Sequence, residues 1–432
     1  MIILLLSFLL YQLLMLVLSP ILVLALLVRS RKQVAYRQRI GERLGWLGNQ
    51  QHGGIILHAA SVGEVMAIKP IVEGLLKQYP ELPLTVTTFT PTGSAQVTKQ
   101  FGDRVQHCYI PLDNIVSVNL FLSTLKPRLL ILMETELWPQ LIHSTFKRNI
   151  PLLLINARLS QKSLASYQKL RWLISPALNK FHRILAQSDE NRDRFISLGA
   201  APERVSHSGN LKYDIRLTEA LETKVETLRQ LPIANHRVVV AGSTHQGEEA
   251  LIIKAFIDVK ELYPDLLLVL VPRHPERFDK VQDLCQQHGL AVARRSANDA
   301  ISEQTDVWLV DTLGELLAFY GIADICIVAG SFFEVGGHNP LEPALFAKPI
   351  VVGPNMANFN DVCEQLMRAE GMIQVGAEQS AQQLQQHLQH ELQHLLGARD
   401  EAKALGQNAA ALLAKNQGAA QRTQTEIEQL LN

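Results

Sequence analysis

The chain has 432 residues, 47% of them hydrophobic and 19% charged, so it is long enough for two folded domains and too apolar for extensive disorder. Its 41 basic and 41 acidic residues balance, which removes any general electrostatic case for nucleic-acid binding. Its four cysteines lack the spacing of a zinc or redox site, and we expect buried thiols in a reducing compartment, with disulfides as the alternative.

The first element of the chain is an apolar segment without a charged side chain, residues 1–28. About 20 such residues cross the hydrocarbon core of a bilayer as a helix. A cleaved signal peptide would carry an initial basic stretch and a small-residue cleavage site, and neither is visible here. We predict an uncleaved, single-pass membrane anchor; a helix lying in the membrane interface or buried in a protein core is the alternative.

Basic residues follow the anchor and are opposed only by Glu42; they are Arg29, Arg31, Lys32, Arg37, Arg39 and Arg43. Because positive flanks stay on the cytoplasmic side of a membrane, the rest of the chain is expected in the cytoplasm. The same cations are expected to attract anionic head groups of membrane lipids.

In residues 29–216 short apolar runs alternate with helical patterns, which is typical of a parallel sheet flanked by helices. We therefore predict a first α/β domain there. The predicted strands are residues 55–58, 84–88, 129–133, 152–155 and 183–186. Ligands of open parallel sheets bind beyond the carboxyl ends of the strands. The loops that follow these strands are therefore where we expect the chemistry.

The loop after the first predicted strand contains Ser61 and Glu64, which have the S-x-x-E spacing of a capping box at a helix start. In that interpretation Glu64 only satisfies backbone N–H groups. Alternatively, the Glu64 carboxylate removes a proton from an incoming hydroxyl. Helix-terminal N–H groups would lower its pKa and desolvation would raise it, and the sequence leaves the balance open.

Four further loops of this half carry polar groups. Residues 90–94 offer hydroxyls and N–H groups for an anionic or sugar substituent, although ordinary turn chemistry explains them equally well. Glu134 and Glu136 share a short segment without an accompanying His or Asp, which favours one functional and one structural acid over a metal site. Arg158 and Lys212 each add a cation near a strand end, and a lone lysine is usually solvated surface.

The second half repeats the same rhythm after a stretch with few apolar residues, which we interpret as a linker over residues 217–235. Residues 236–432 then predict a second doubly wound domain. Its predicted strands are residues 238–241, 266–271, 307–310, 325–328 and 350–352. Leucines at helical spacing beyond residue 380 predict C-terminal packing helices, with a partner-binding coiled coil as the alternative.

The loops of the second half are richer in cations and glycines. Two prolines fix a turn that presents Arg273, His274 and Arg277, and planar guanidinium groups suit a phosphate or carboxylate; a basic surface turn is the alternative. The following loop starts a helix near Gly314, where the backbone admits close approach.

The most distinctive segment is the glycine-rich run of residues 330–344. Asn339 is a candidate N-cap, Pro340 the first helical residue and Glu342 the third. Such a helix start can hold a phosphate on its N–H groups while an acidic residue takes ribose hydroxyls. A purely structural glycine-rich turn is the alternative.

Taken together, these segments resemble the 3-deoxy-D-manno-octulosonic acid (Kdo) transferases over nearly the whole chain. The resemblance is carried by the apolar anchor and by residues 39–43 (RIGER), 61–64 (SVGE), 134–139 (ETELWP), 156–158 (NAR), 272–275 (PRHP) and 336–342 (GGHNPLE). Any one motif is weak alone, but all of them in this order are specific.

The resemblance implies a GT-B fold, in which two Rossmann-like domains face a central cleft, at the inner membrane. It further implies an inverting transfer from CMP-Kdo to lipid IVA, the tetraacylated disaccharide bisphosphate precursor of lipid A, without a metal or other cofactor. Glu64 would be the general base, and Glu134 and Lys212 would stabilise the transition state. The implied CMP contacts, with Leu313 matched by position only, are Pro272, Arg273, Leu313, Gly314, Glu315, Asn339, Pro340, Leu341 and Glu342.

Two other functions remain open at this point. One is a GT-B enzyme that uses a UDP-sugar, and the other is a membrane-bound nucleotide-binding scaffold without turnover. Nucleotide preference and product release distinguish the three. The number of Kdo units added and the oligomeric state cannot be derived from these residues.

Overall fold

The computed structural model describes residues 2–431 apart from residues 32, 234 and 377–379, and the side chains of residues 2–6 are not described. Lys32, one of the cations of the predicted basic flank, therefore lies outside the described residues. The chain forms two compact units, Met1–Asp214 with Asn416–Asn432 and Ile215–Lys415.

Within the described residues, the first unit contains a seven-stranded parallel sheet, ordered β3-β2-β1-β4-β5-β6-β7. Its strands are β1 (Ile55–His58), β2 (Leu84–Thr88), β3 (Gln106–Tyr109), β4 (Leu129–Met133), β5 (Leu152–Ala157), β6 (Arg183–Ala186) and β7 (Val205–His207). Successive residues of a strand point to opposite faces, so Ile56 and Leu130 enter one core and Leu57 and Ile131 the other. Burial on both faces explains why the central strands are continuous apolar runs.

Helices cover both faces of this sheet, and the α-helices that precede β7 in the chain all lie in the first unit. They are α1 (Ile2–Arg29), α2 (Ile40–Arg43), α3 (Val62–Ala67), α4 (Lys69–Gln78), α5 (Pro91–Phe101), α6 (Ile115–Leu125), α7 (Pro139–Lys147), α8 (Gln161–Lys169), α9 (Arg171–Leu178) and α10 (Asp189–Leu198).

The second unit contains another parallel sheet, which has seven strands within the described part of the chain and the order β10-β11-β9-β8-β12-β13-β14. The strands are β8 (Arg237–Thr244), β9 (Leu266–Pro272), β10 (Val292–Arg294), β11 (Val307–Leu309), β12 (Ile325–Val328), β13 (Ile350–Val352) and β14 (Ile373–Gln374). The helices of this unit are α11 (Glu219–Arg229), α12 (Glu248–Lys260), α13 (Phe278–Gln287), α14 (Leu316–Ile322), α15 (Leu341–Ala344), α16 (Asn360–Arg368), α17 (Ala381–Gly397) and α18 (Arg399–Asn416). The last helix, α19 (Ala419–Leu431), belongs to the first unit.

All ten predicted strands are present, and four strands were missed: β3, β7, β10 and β14. Each of the four lies at an edge of its sheet and has two to four residues. Edge strands are only partly covered, so their sequences carry polar residues and lack the apolar run that identifies a central strand.

The domain boundaries differ from the predicted ones at two places. Residues 217–235, expected to be a linker, contain helix α11, which buries Val225 and Leu228 and packs against α14 in the second unit. Residues 416–432, expected in the second domain, join the first unit, where α19 packs against α4. The carboxylate of Asp214 accepts hydrogen bonds from the backbone N–H groups of Gly418 and Ala420. Sequence periodicity reports only local structure, so these contacts between residues far apart in the chain could not be predicted from it.

The apolar N-terminus forms α1, and Ser7–Arg29 is long and apolar enough to cross a membrane. Only 11% of that segment is buried within the protein. One side of α1 nevertheless contacts the first unit through polar groups: the hydroxyl of Tyr11 donates to Asp113 at 2.6 Å, and the Gln12 amide donates to Gln140 at 2.7 Å.

The basic flank is not uniformly available to lipid head groups. Arg43 is 1% exposed, and its guanidinium lies 4.0 Å from the centre of the Tyr109 ring while Nη2 donates to the Phe89 carbonyl. Arg39 donates to Ser94 and to the carbonyl of His107. The expected head-group role is therefore wrong for Arg43, since aromatic rings cover its charge, and Arg39 is used within the first unit.

Candidate functional site

Ligands of open α/β sheets bind at a reversal of the strand order, and each sheet has such a reversal among its central strands. In the first sheet it lies between β1 and β4, and in the second between β8 and β12. The loops that follow these four strands carry Glu64, Glu134, His245 and the glycine-rich segment.

Glu64 lies in the first turn of α3, the helix that follows β1, and Ser61 caps this helix by accepting a hydrogen bond from the Glu64 N–H. Its carboxylate accepts from the Ala60 N–H at 2.9 Å and from the Ser61 hydroxyl at 2.8 Å, and the residue is 8% exposed. Burial raises the pKa of Glu64 to about 7, the negative charge of Glu134 adds to the rise, and the hydrogen bonds from Ala60 and Ser61 oppose it. The effect of desolvation on the pKa is larger than that of the hydrogen bonds, so the carboxyl titrates near neutral pH, where a general base is most useful.

Glu134 and Glu136 follow β4 and have different surroundings. Glu134 occupies a left-handed backbone conformation with φ 55° and lies close enough to Glu64 for its charge to act there. Glu136 is held by His58, whose Nε2 lies 3.3 Å from Oε2, and by the indole N–H of Trp138 at 2.8 Å. Burial raises the pKa of Glu136, but these hydrogen bonds outweigh burial and hold the pKa below its usual range. Glu136 is thus engaged within the fold.

His58 is a buried residue of this site that the sequence did not single out. It ends β1, is 0% exposed, and its Nδ1 lies 3.0 Å from the hydroxyl of Thr87. It therefore connects β1, β2 and the loop after β4, the region where Glu64 is held. A histidine inside an apolar strand was the available signal.

Lys212 lies on a short turn after β7. Asn210 stabilises the turn by accepting from the Lys212 N–H at 3.0 Å. Asn156, at the end of β5 with φ 50° and 1% exposed, accepts from the Leu211 N–H at 2.9 Å. These bonds fix the turn of Lys212 at the carboxyl edge of the sheet, the same edge as Glu64 and Glu134.

In the second unit, Arg273 follows β9, and its N–H donates to the Thr244 carbonyl at 3.0 Å. His245 and His338 stack with ring centres 5.2 Å apart, and their Nε2 atoms are separated by 2.9 Å. The pKa values of both histidines fall to about 4, because burial disfavours the charged ring and because neighbouring imidazoles and Arg273 add positive charge. Both imidazoles are neutral near pH 7, which leaves Arg273 as a permanent cation beside them.

The glycine-rich segment after β12 ends in the short helix α15. Asn339 accepts from the Leu341 N–H at 3.1 Å, and the helix begins at Leu341 with Pro340 as N-cap, one residue later than predicted. Burial raises the pKa of Glu342 to about 7, and the positive charge of Arg273 lowers it. Arg273 thus lies close enough to Glu342 for its charge to act there, although Arg273 follows β9 and Glu342 lies in α15.

Leu313, Gly314 and Glu315 follow β11, on the other side of β9. Leu313 is 70% exposed, and Gly314 has φ 83° with open space where a Cβ would lie. Burial raises the pKa of Glu315, but its hydrogen bonds from Arg295 and Thr312 outweigh burial and lower the pKa. Its carboxylate is therefore already engaged, and the backbone of this loop is the part open to a ligand.

Other described side chains of the two units that could bind a phosphate or a metal ion have partners within the fold or do not cluster. Arg277, proposed to face a phosphate, instead pairs with the buried carboxylate of Glu249 at 3.0 Å. Among the described residues there is no group of three or more His, Cys, Asp or Glu side chains arranged to hold a metal ion. All four cysteines are buried free thiols.

Comparison with known proteins identifies relatives along almost the whole chain. The family model of 3-deoxy-D-manno-octulosonic-acid transferases matches residues 38–215. The 3-deoxy-D-manno-octulosonic acid transferase of Haemophilus influenzae is 41% identical over 415 residues, covering 95% of this chain and 96% of the relative. That of Bordetella pertussis is 34% identical over 385 residues and covers 87% of each chain.

A solved structure supports the fold. The UDP complex of MnaA from S. aureus is 15% identical, has a TM-score of 0.53, and covers 88% of this chain and 97% of that chain. At that identity the likeness concerns the fold alone. Together with the two seven-stranded parallel sheets, it confirms the predicted GT-B type of fold.

Proposed function

The chain belongs to the 3-deoxy-D-manno-octulosonic acid transferase family of glycosyltransferases, and on that premise we propose that it transfers Kdo from CMP-Kdo to lipid IVA in lipopolysaccharide biosynthesis. Two observations carry the proposal, one from each unit taken by itself: a base whose pKa lies near neutral pH, and a cation that acts on the first turn of a helix. Glu64 supplies the first, and Arg273 with α15 supplies the second.

The second unit supplies the groups that a cytidine monophosphate requires. Arg273 is a cation for the phosphate, and Asn339, whose side-chain oxygen accepts from the Leu341 N–H, has an amide NH₂ group that can donate to it. Glu342, whose pKa is about 7, can exchange hydrogen bonds with ribose hydroxyls in either protonation state. Departure of CMP leaves a phosphate dianion, which this cationic surrounding stabilises without a metal or organic cofactor.

The first unit supplies the base. In the proposed mechanism the acceptor hydroxyl attacks the anomeric carbon of Kdo from the face opposite CMP, so the configuration inverts. Its proton passes to the Glu64 carboxylate as the new C–O bond forms and the bond to the CMP oxygen breaks. Glu134 raises the basicity of Glu64, and Lys212 adds positive charge at the same edge of the sheet.

Helix α1 supports an anchor at the inner membrane, with the two units in the cytoplasm. We propose that Ser7–Arg29 crosses the bilayer once, as its length and composition permit. A helix lying along the membrane surface would instead keep the bonds from Tyr11 and Gln12 to the first unit. A cysteine introduced in place of Ser7 distinguishes the two: labelling by an impermeant maleimide from the periplasm supports the span, and labelling only after lysis contradicts it.

The test of the proposed function is mass spectrometry of the lipid product formed by the purified protein from CMP-Kdo and lipid IVA. A mass increase of one or more Kdo units, with release of CMP, is the expected result, and the same spectrum counts the additions. Unchanged lipid with no CMP released would leave only a nucleotide-binding scaffold. If the protein binds UDP more tightly than CMP in parallel titrations, the donor is a UDP-sugar and not CMP-Kdo.

A further inference from the structure

Glu248 is a buried carboxylate that bonds to two loops of the second unit at once. It lies in the first turn of α12 and is 0% exposed. Its Oε2 accepts from the N–H of His245 at 2.9 Å and of Gly330 at 2.8 Å, and its Oε1 accepts from the N–H of Phe332 at 2.9 Å. One side chain therefore joins the loop after β8 to the loop after β12, on either side of the reversal in the sheet order.

The backbone at these positions departs from strand geometry, so its N–H groups need a hydrogen-bond acceptor outside the sheet. Ser243 has φ 58° and Gly330 has φ 71°, so N–H groups near them turn out of the ladder of the sheet. Buried N–H groups left without an acceptor destabilise a fold strongly, and water does not reach this position. A carboxylate, which has only acceptor sites, serves all three N–H groups together.

The same two loops carry the groups proposed to hold the donor. The Gly337 N–H donates to the Gly330 carbonyl at 2.7 Å, which folds the glycine-rich segment back on itself. His338 then meets His245 across the two loops, and Asn339 follows directly. The position of Asn339 and of the helix start beyond it is thus linked, bond by bond, to the Glu248 carboxylate.

We propose that Glu248 is a positioning residue for the nucleotide-sugar donor, which sets the separation of the two loops without touching the donor itself. This inference rests on the proposed donor site in the second unit. An amide at the same place has one acceptor and one NH₂ group, and the NH₂ group would face a backbone N–H. The E248Q substitution should therefore move one of the two loops while it preserves the size of the side chain.

Glu249 provides a matched control in the same helical turn. It is also 0% exposed, but its carboxylate pairs with the Arg277 side chain at 3.0 Å. E249Q therefore removes a buried ionic contact of comparable burial without altering the acceptor of the two loops. Any general loss of stability from neutralising a buried glutamate appears in both variants.

The experiment compares wild type, E248Q, E249Q and R273A in calorimetric CMP binding, in KM for CMP-Kdo and for the acceptor, and in thermal unfolding. E248Q is expected to weaken CMP binding and raise the donor KM about tenfold or more, with the acceptor KM within about twofold. E249Q is expected to keep the donor KM within about twofold of wild type, even where it unfolds at the same lowered temperature as E248Q.

Wild-type CMP affinity in E248Q, while R273A binds weakly, would overturn the positioning role and leave the donor site standing. Wild-type affinity in R273A as well would refute the donor site itself. If E248Q does not fold, E248D is tested in its place. Its shorter side chain reaches fewer of the three N–H groups, so the donor KM should rise, and an unchanged donor KM in E248D contradicts the inference.

Discussion

The substitution E64Q separates a catalytic role for Glu64 from a purely structural one. As a helix cap, Glu64 should stabilise the fold, and its replacement should cost stability. As a buried base, it does the opposite near neutral pH. Its pKa is about 7 in the folded protein against an ordinary value of 4.5, so the folded state holds the proton that the unfolded state releases.

The sign and size follow from proton linkage. Below about pH 4.5 the carboxyl is protonated in both states and costs nothing; between 4.5 and 7 the cost grows, and above 7 it is complete. A shift from 4.5 to about 7 corresponds to about 3 kcal/mol of lost stability at alkaline pH. The E64Q substitution abolishes that loss of stability. The amide accepts fewer hydrogen bonds from Ala60 and Ser61, however, which lowers the stability of E64Q by about 1 kcal/mol.

The assay is chemical unfolding of wild type and E64Q at pH 5 and pH 8.5, together with transfer of Kdo and binding of CMP. We expect E64Q to lose transfer, to keep CMP binding, and to be more stable than wild type by about 2 kcal/mol at pH 8.5 but not at pH 5. An E64Q protein that still transfers Kdo, or that is less stable than wild type at both pH values, would refute the reasoning and leave Glu64 as a helix cap.

Three further predictions concern Glu134, the metal-free mechanism and the docking of α19. Because the charge of Glu134 raises the pKa of Glu64, E134Q should move the acid limb of the kcat profile to lower pH, as well as lower its plateau; an unmoved limb would show that the two carboxyls do not interact. Dialysis against EDTA should leave kcat unchanged, and recovery of lost activity by a divalent ion would contradict a metal-free mechanism. The Asp214 carboxylate accepts hydrogen bonds from the N–H groups of Gly418 and Ala420, so D214A should lower the free energy of unfolding by about 2 kcal/mol. It should also expose residues 416–432 to protease, while the affinity for CMP is retained. An unchanged pattern of proteolysis would contradict the role of Asp214 in docking α19.

Features that depend on local sequence were predicted well. The run Ile55–His58 identifies a strand buried on both faces, and the Ser61 to Glu64 spacing identifies the helix start that follows it. The segments with Glu64 and Glu134 follow predicted strands and were expected at the carboxyl edge of the sheet, and Lys212 was expected near a strand end. The family resemblance then assigned roles that spacing alone left open.

Features that depend on distant contacts were not predicted. Glu248 bonds to Gly330, 82 positions further along the chain, so nothing near it in sequence reveals its partners. The return of α19 to the first unit has the same origin. Arg43 looked like a free cation beside the membrane, and only the fold shows the Tyr109 ring that covers it.

The central claim is that the second unit holds CMP at Arg273 and Glu342. A crystal structure of the protein with CMP tests it most directly. We expect the phosphate within hydrogen-bond distance of the Arg273 guanidinium and the ribose beside Glu342. CMP bound away from both residues would contradict the donor site and, with it, the mechanism built on it.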